Sequence, residues 1–390
     1  MTTLTADVAI LGGGLIGTWS AYFLARRGKR VVLLERGAVG AQSSGTNFGN
    51  LRLQGRFPGQ YPLSLRSHAL WERLHELIGD DCEFDATGHL YCAFDEDERA
   101  RLEHYAEDSQ SHGLVIDHLD TADLRRRFSW LGRKVVAATY SGRDATANPR
   151  LVTPAVARAA RALGATIIEN CRVADVQKRG DAFVVLADNE VQVDCGHIVN
   201  AAGAWAVDIA ERFGETAPLF PAGPPQFVTE SFPAVFRPSI QMLDGSVIAR
   251  QIPRGNVIFA GYPRTAADPV RNRAFVPPLK TLAGMQHLAE VVPALRSCNV
   301  IRVWSGIEGY LPDMLPVIGP SATTPGLLHA FGFCGHGFQL GPGVGLCLSE
   351  IIIDGVTETP LDPFSIGRFQ QEVDVSDKFK REFDPAGSPA

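Results

Sequence analysis

Three glycines near the N-terminus have the spacing of a sharp turn between a strand and a helix. Gly12 lets the chain turn, Gly14 lets the backbone approach a pyrophosphate, and Gly17 lets the helix pack closely on the strand. The N-terminus of such a helix offers unpaired N–H groups and a partial positive charge to phosphates. Because three glycines in six residues carry a backbone-entropy cost, a turn without a ligand explains them poorly. The spacing therefore predicts a bound dinucleotide.

An acidic residue stands where the ribose of that dinucleotide would lie. Glu35 follows Gly17 by 18 residues, at the end of the next predicted strand. A carboxylate at this place can accept hydrogen bonds from both ribose hydroxyls, and a free 2′-hydroxyl indicates FAD or NAD rather than NADP.

A second glycine-rich turn lies far along the chain, in Phe331-Gly332-Phe333-Cys334-Gly335-His336-Gly337-Phe338-Gln339-Leu340-Gly341-Pro342. It follows a predicted strand and precedes an apolar helix. One extended cofactor with an anionic group at each end would use both turns. Reduced flavin carries negative charge at its pyrimidine end, which a helix N-terminus stabilises. The pair of turns therefore favours FAD, whereas an NAD-dependent dehydrogenase would leave the second turn unexplained.

Composition excludes several classes of protein. A chain of 390 residues is too long for one simple core, so we expect two closely joined domains. The net charge of -6 provides no basic surplus for binding nucleic acid. Seven scattered cysteines without a CxxC pair predict neither a metal site nor a closed disulfide set. We see no signal peptide and no apolar run of transmembrane length, and expect a cytoplasmic protein, resting on a membrane at most through partners.

The elements that position these residues alternate between strands and helices. We predict strands at 6–11, 30–34, 88–94, 135–140, 166–170 and 327–331, a hairpin at 173–193, and a strand-like region at 218–303. We predict helices at 15–27, near 62–78, 97–112, 151–163, near 279–290 and from about 341 to 354.

Five segments together resemble the FAD-dependent D-amino acid oxidase, glycine oxidase and sarcosine oxidase superfamily. They are 12–17 with Glu35-Arg36, 43–49, 200–205, 304–319 and 335–345. The resemblance implies a mixed α/β fold in which a Rossmann-like FAD-binding domain is interleaved with a mostly antiparallel β-sheet substrate domain. The FAD-binding domain would comprise 1–85, 145–215 and 305–375, the substrate domain 86–144 and 216–304, and a loose polar tail 376–390.

The resemblance also implies which residues approach FAD. Val173 would hold the adenine region by backbone contacts, although it could equally be a plain strand residue. The full set of cofactor candidates is Gly12, Gly14, Leu15, Ile16, Gly17, Glu35, Arg36, Ser43, Ser44, Asn47, Gly49, Asn50, Leu51, Val173, Ala201, Ala202, Gly203, Trp205, Gly306, Gly335, His336, Gly337, Phe338 and Gln339.

One residue departs from the family pattern. Family oxidases hold the substrate carboxylate with an arginine two residues after the glycine of a Trp-x-Gly motif, and here that position is Glu308. An acid cannot pair with a carboxylate. Glu308 either faces a cationic part of the substrate or is a structural acid paired with Arg250 or Arg302.

The segments 45–52, 147–152 and 306–313 resemble a narrower group, the B subunits of opine oxidases and the beta subunits of dye-linked proline or hydroxyproline dehydrogenases. This implies hydride transfer from a small amine or imino acid to flavin N5, in a complex whose partner subunits carry further redox centres. The alternatives are a stand-alone glycine or D-amino acid oxidase that uses oxygen, and a flavin-binding assembly subunit without chemistry of its own.

The substrate amine must be neutral for its lone pair to assist the reaction, so a base or a desolvated pocket is expected. The candidates for shaping that site are His336, Glu308, Tyr310, Arg250 and Tyr262. His336 could instead be a turn histidine bonded to backbone, and Tyr262 could merely pack. Arg52 and Arg56 could bind substrate, a partner or a flavin phosphate.

Overall fold

The computed structural model describes residues 2–383. The helices are α1 Leu15–Arg26, α2 Ser43–Thr46, α3 Tyr61–Trp71, α4 Leu74–Ile78, α5 Glu96–Ser111, α6 Thr121–Arg127, α7 Pro149–Ala162, α8 Val207–Glu211, α9 Pro278–Val291, α10 Gly337–Asp354 and α11 Asp377–Glu382.

The strands are β1 Thr2–Leu11, β2 Val31–Leu34, β3 Asn50–Leu51, β4 His89–Ala93, β5 Asp117–Leu119, β6 Ala137–Ser141, β7 Ala145–Thr146, β8 Thr166–Ile168, β9 Val173–Arg179, β10 Ala182–Ala187, β11 Val191–Asn200, β12 Phe220–Gly223, β13 Pro225–Ser231, β14 Ser239–Met242, β15 Ile248–Gln251, β16 Asn256–Ala260, β17 Thr265–Asp268, β18 Arg273–Ala274, β19 Val300–Ser305, β20 Glu308–Tyr310, β21 Val317–Pro320 and β22 Leu327–Phe331.

The first eight-stranded sheet has a parallel centre. Its order is β21-β22-β11-β1-β2-β8, with β10 and β9 attached beside β11. The strands β22, β11, β1, β2 and β8 run parallel to one another. All of β2 and the second half of β1 are buried, which explains their unbroken apolar sequence, since a parallel sheet is covered on both faces.

A second eight-stranded sheet, in the order β19-β13-β16-β15-β14-β4-β6-β5, is antiparallel except where β14 meets β4. A smaller sheet has four strands in the order β18-β17-β12-β20, and its strand β20 carries Glu308 and Tyr310. The predicted mixed fold, with one Rossmann-like sheet and one mostly antiparallel sheet, agrees with this topology.

Helices α1 and α10, which follow the two glycine turns, pack against each other through small residues. A side chain at Gly345 would come within 2.6 Å of Trp19 Cβ, and one at Gly341 within 2.7 Å of the Leu15 side chain. Because the two helices lie this close, their N-termini are brought to the same edge of the sheet.

The described structure differs from the sequence prediction in three places. The helix near 62–78 is interrupted between α3 and α4, and α10 begins at Gly337 and continues through Pro342 rather than beginning near 341. The prediction of a loose tail is wrong for residues 376–383, because Ser376 caps α11 and the Phe379 and Phe383 rings pack in an apolar cluster. The rest of the predicted tail, 384–390, lies outside the described residues. No helix between residues 2 and 383 is long and apolar enough to cross a membrane.

Candidate active site

The larger of two adjoining cavities has a volume of about 480 Å³ and lies beyond the carboxyl ends of β1, β2, β11 and β22. Parallel sheets bind ligands at this edge, since the loops that leave the strands meet there. Both glycine turns line the cavity. The predicted cofactor residues on its walls are Gly12, Gly14, Leu15, Ile16, Glu35, Arg36, Ser43, Ser44, Asn47, Gly49, Asn50, Val173, Ala201, Ala202, Gly203, Trp205, Gly335, Gly337 and Phe338.

The first glycine turn has no room for side chains. Gly12 has a φ of 108°, and a Cβ there would lie 2.5 Å from the carbonyl oxygen of Ala201. A Cβ at Gly17 would overlap the carbonyl oxygen of Gly12. Helix α1 begins after Gly14 without a side-chain cap and without an acidic residue in its first turn. The Leu15 N–H at its start donates to the Ser44 hydroxyl at 2.8 Å, and the partial positive charge of the helix N-terminus faces the cavity.

Glu35 is held on the cavity wall by the backbone. Its Oε2 accepts a hydrogen bond from the Gly13 N–H at 2.7 Å and its Oε1 accepts one from the Gly37 N–H at 2.8 Å. Each oxygen of a carboxylate can accept a second bond, so both remain able to bind ribose hydroxyls. Nearby, the Arg36 guanidinium stacks on the Trp205 ring at 3.4 Å and forms a flat wall.

The second glycine turn repeats the electrostatics of the first. His336 occupies the N-cap of α10, no side chain caps the helix, and its first turn contains no acid. Gly335 and Cys334 adopt positive φ angles of 79° and 50°. The N-termini of α1 and α10 thus open on one cavity, and the Glu35 carboxylate lies beyond α1 on the side away from α10. This arrangement fits an extended dinucleotide such as FAD.

Five predicted cofactor residues do not line the larger cavity. Gly17 and Gly306 are packing glycines, the latter against Thr46, and Leu51 is in the apolar core. His336 and Gln339 line the smaller cavity instead.

Gln339 also joins α10 to α3. Its side-chain amide donates to the Ser64 carbonyl oxygen at 2.9 Å and its Oε1 accepts from the Ser64 hydroxyl at 3.0 Å. The side chain is therefore occupied by these contacts.

The smaller cavity, of about 100 Å³, shares Asn47, Asn50, Glu308 and Gly335 with the larger one. Strands of the antiparallel sheet supply much of its lining. The ionisable side chains that line it, apart from His336 and Tyr262, are Arg52, Arg56, Arg264, Glu308, Lys378 and Glu382.

Glu308 lies at the junction of the two cavities. Its Oε2 accepts a hydrogen bond from the Tyr310 hydroxyl at 2.7 Å. Burial raises the pKa of the Glu308 carboxyl, and the nearby Arg264 guanidinium opposes part of that rise. The sequence-based pairing with Arg250 or Arg302 is wrong, because the cation facing Glu308 is Arg264, which the sequence did not single out.

Arg250 lines neither cavity. Its guanidinium lies over the Phe48 ring at 5.6 Å and close to the backbone of Gly49, on the far side of the wall. Burial lowers the pKa of Arg250 to about 10. Arg250 is therefore separated from His336, Glu308 and Tyr262, which line the smaller cavity. Tyr310 also lines neither cavity, but its hydroxyl bonds Glu308.

A buried network joins the second sheet to the C-terminal helix. Arg264 Nη2 lies 3.0 Å from Glu382 Oε2, and their side chains are only 8% and 1% exposed. The Tyr262 hydroxyl donates to Glu382 Oε1 at 2.7 Å, and Lys378 Nζ lies 3.6 Å from the same oxygen. Tyr262 thus does more than pack.

Sequence reasoning missed Lys378 and Glu382 because they stand in a polar segment. Ser376 is a favourable N-cap residue, and Phe379 and Phe383 follow it four residues apart, as on one face of a helix. This pattern was the signal that could have predicted the helix.

His336 contacts a side chain rather than the backbone through its ring. Its Nε2 lies 2.6 Å from Lys378 Nζ, and its buried Nδ1 has no partner among residues 2–383. Burial and the neighbouring cations, Lys378 foremost, hold the pKa of His336 well below its usual value, so the ring is neutral.

Two buried guanidiniums line the smaller cavity without a carboxylate partner in the described part of the chain. Arg52 donates to the carbonyl oxygens of Gln54 and Gly55, and Arg56 Nε donates to the Arg52 carbonyl oxygen at 3.0 Å. Burial and the charge of Arg52 lower the pKa of Arg56 to about 9. The buried Asp144 carboxyl acts on both charges, but it is a single acid facing two cations. An anionic ligand would therefore be stabilised beside Arg52 and Arg56.

Comparison with known proteins agrees with this geometry. A family model described as FAD dependent oxidoreductase matches residues 7–351. The chain is 27% identical to hydrogen cyanide synthase subunit HcnC of Pseudomonas aeruginosa, over 94% of this chain and 97% of that protein. It is 25% identical to sarcosine oxidase subunit beta of Rhizobium meliloti, over 95% and 90% of the two chains.

A solved structure of L-proline dehydrogenase from P. horikoshii superposes with a TM-score of 0.88 at 24% identity, over 94% of this chain and 98% of that one. This likeness confirms the predicted fold class. The chain also matches mitochondrial dimethylglycine dehydrogenase of Rattus norvegicus at 28% identity, but spans only 44% of that longer protein.

Proposed function

The chain belongs to the family of FAD-dependent oxidoreductases, as its motifs indicated, and from that premise we propose that it oxidises a carbon–nitrogen bond of a small amino or imino acid. The larger cavity would hold FAD, with the N-terminus of α1 for its pyrophosphate and Glu35 for a ribose. When bound, it supplies the acceptor for a hydride from the carbon next to the amine nitrogen.

The observation that carries this proposal is the pair of guanidiniums in the smaller cavity. Neither Arg52 nor Arg56 forms an ion pair within 4.0 Å among residues 2–383, and one buried carboxyl, Asp144, acts on both charges. The carboxylate of a substrate completes their charge pairing. The family position for a carboxylate-binding arginine is occupied by Glu308, and these two residues take over that role from the other side of the cavity.

Two buried oxygens suit the amine end of the same molecule. Asn50 Oδ1 and Gln226 Oε1 have no hydrogen-bond partner among residues 2–383, and both residues line the smaller cavity. Buried acceptors left unpaired are costly, so a ligand that donates N–H groups is stabilised there. A carboxylate at the arginines and an amine at these oxygens orient the substrate across the cavity.

The charge balance of the cavity favours a substrate with two carboxylates. Four cationic side chains, of Arg52, Arg56, Arg264 and Lys378, face two acidic ones, of Glu308 and Glu382. An opine carries two carboxylates on one secondary amine and offsets this excess better than proline does. We therefore place opines first among the substrates and proline or hydroxyproline second.

The experiment is an anaerobic titration of the purified flavoprotein, followed by the loss of flavin absorbance. Octopine, nopaline, D-hydroxyproline, proline and glycine are compared, with pyrrolidine as the analogue of proline that lacks the carboxylate. We expect carboxylate-bearing amines to bleach the flavin and pyrrolidine to bind about 10- to 100-fold more weakly, the range that one or two charge-assisted hydrogen bonds provide.

A variant isolates the arginine contribution. Arg52→Met should raise the dissociation constant of the best substrate about 10- to 100-fold without lowering the flavin content. Arg254→Met, which removes an exposed guanidinium paired with Glu83, is the matched control and should change nothing. Equal binding of proline and pyrrolidine, or an unchanged constant in the Arg52 variant, would contradict the proposal.

We further propose that the chain acts as the catalytic subunit of a heteromeric dehydrogenase. Two relatives are themselves named as subunits. On this chain, large apolar side chains are exposed in one segment, with Phe275 at 68%, Leu279 at 77% and Leu282 at 58%. Clustered exposed apolar residues are typical of a protein interface.

The electron acceptor tests the subunit role. Turnover with dyes or quinones, slow turnover with oxygen and co-purification with a redox partner are expected. Rapid release of hydrogen peroxide by the single chain would favour a stand-alone oxidase instead.

A further inference from the structure

The C-terminal helix α11 contributes two ionisable side chains to the smaller cavity. Lys378 and Glu382 stand one turn apart and both line it. A helix of six residues is not stable alone, so its position depends on packing.

That packing is provided by the adjacent side of α11. The Phe379 and Phe383 rings lie 5.2 and 4.7 Å from the Phe220 ring of β12. The Ser376 N–H donates to the Pro312 carbonyl oxygen at 3.0 Å, and the Ser376 hydroxyl caps the helix. These contacts fix the direction in which Lys378 points.

Lys378 forms a close pair with the histidine at the start of α10. The distance of 2.6 Å between Lys378 Nζ and His336 Nε2 allows one proton between the two nitrogens. The Lys378 ammonium donates to Nε2 of a neutral His336, and a neutral Lys378 can still donate one N–H to that nitrogen while its own lone pair stays unused. The Lys378 side chain is 29% exposed and lines the smaller cavity.

The charges around Lys378 make it a weaker base than an ordinary lysine. Burial is the main cause, and Glu382 on the same helix opposes it. The cations Arg52, which follows β3, and Arg264, which precedes β17, add to the lowering, and the pKa of Lys378 falls to about 8. His336 is neutral, and Glu308 on β20 and Cys334 before α10 are the other titratable groups nearby. At pH 7.5 about a quarter of such lysines are neutral, against ~0.1% of ordinary ones.

We propose that Lys378 is the catalytic base that removes the proton from the substrate's ammonium group, and that Glu382 is the residue that positions it. An N–H bond of the ammonium breaks, an N–H bond forms at Lys378 Nζ, and the electron pair stays on the substrate nitrogen. No electron is transferred in this step, and the proton leaves by way of His336 or solvent. This inference rests on the proposed function and names the residue that prepares its substrate.

The other ionisable groups of the cavity are committed elsewhere. Glu308 already accepts from the Tyr310 hydroxyl and faces Arg264. Glu382 is bound by Arg264, Tyr262 and Lys378. Lys378 is the group with a free lone pair once it is neutral.

The kinetic test is the rate of anaerobic flavin bleaching between pH 6 and pH 10, at saturating substrate, in wild type and in Lys378→Met. In wild type the rate should rise with a midpoint near pH 8. In the variant it should fall about 100-fold at pH 7.5, the scale of general-base catalysis, and recover at high pH, where the substrate loses its proton unaided. Lys380→Met, on the exposed face of the same helix, is the matched control and should behave as wild type.

A second readout does not depend on turnover. Acylation of lysines at a series of pH values, followed by peptide mass spectrometry, measures the protonation of Lys378 and Lys380 in the same molecule. Lys378 should titrate near pH 8, and in Glu382→Gln its midpoint should move lower, since the opposing carboxylate is lost.

The outcomes separate the two proposals. If no amine reduces the flavin of the wild type at any pH, the proposed function is contradicted, and the proposed role of Lys378 as a base is contradicted with it. A wild type reduced by amines, with a Lys378→Met variant that keeps its pH profile and only binds more weakly, overturns the base and leaves the function standing. An ordinary midpoint for Lys378 in the acylation experiment also overturns the base.

Discussion

The substitution Gly12→Ala tests whether the first turn is built for a cofactor as the packing indicates. Two separate penalties act at this residue. Its φ of 108° lies where a side chain is strained, and the added Cβ would stand 2.5 Å from the Ala201 carbonyl oxygen, against the 3.4 Å of ordinary contact. The backbone cannot move apart easily at this contact, because Ala201 directly follows β11 and Gly12 directly follows β1, two strands that are paired in the sheet.

The magnitude follows from these two terms. Backbone strain at such an angle costs about 1–2 kcal/mol, and overpacking a site that must open by about 0.9 Å costs about 1–3 kcal/mol. We expect the free energy of unfolding to fall by about 2–5 kcal/mol. The helix N-terminus also shifts by a distance that is enough to weaken hydrogen bonds to a phosphate, so flavin should be lost on purification.

The assay pairs thermal melting with the ratio of flavin to protein absorbance. Gly28→Ala is the control, since Gly28 also has a positive φ, 78°, but a Cβ there meets nothing within 4 Å. This control should lose about 1 kcal/mol and keep its flavin. A Gly12→Ala protein that retains flavin as Gly28→Ala does would refute the reasoning, because the close contact would then have no consequence for the cofactor.

Two further substitutions address charge. Glu308→Gln keeps the hydrogen bond with Tyr310 but removes a negative charge. The dissociation constant should therefore rise several-fold for octopine, which carries a guanidinium, and less than twofold for proline. An equal change for both substrates in the anaerobic titration would argue against a Glu308 that faces a cation of the substrate. Away from the cavities, burial raises the pKa of Glu215, but hydrogen bonds from His329 and Ser321 more than offset it and hold that pKa below 4.5. The stabilisation is therefore present above pH 4.5 and is lost as the pH falls through the lower folded pKa. Glu215→Gln should lower the melting temperature at pH 7, and the gap to wild type should narrow below pH 4.5; a gap that stays constant with pH would contradict this account.

The local features of the cofactor site could be predicted from the chain alone. The spacing of Gly12, Gly14 and Gly17, the acid at Glu35 and the second turn near Gly335 are properties of a few consecutive residues. Each depends on backbone sterics and on the end of a helix, which are the same wherever such a turn occurs. Hence the fold class, the family and the outline of the larger cavity were predicted before the tertiary structure was considered.

The substrate cavity depended on contacts between distant parts of the chain. Arg250 lies on a strand whose side chains alternate between the two faces of the sheet. Only the position of that sheet shows that the Arg250 guanidinium lies behind the cavity wall formed by Phe48 and Gly49. Glu308 has Arg264 opposite it because β20 and β17 both pair with β12. Nothing local predicts either fact.

The C-terminal segment shows the same limit most clearly. The composition of Ser376 to Glu382 is polar and typical of a solvent-exposed segment, so the sequence predicts a loose tail there. Its Lys378 and Glu382 are stabilised in the cavity because Tyr262 and Arg264, from one distant segment, and His336, from another, neutralise or bond them there. The sequence by itself predicted where a dinucleotide would bind, since that prediction rests on local backbone geometry. The tertiary structure decided which charges line the proposed substrate cavity, since that requires groups from distant segments to be desolvated together.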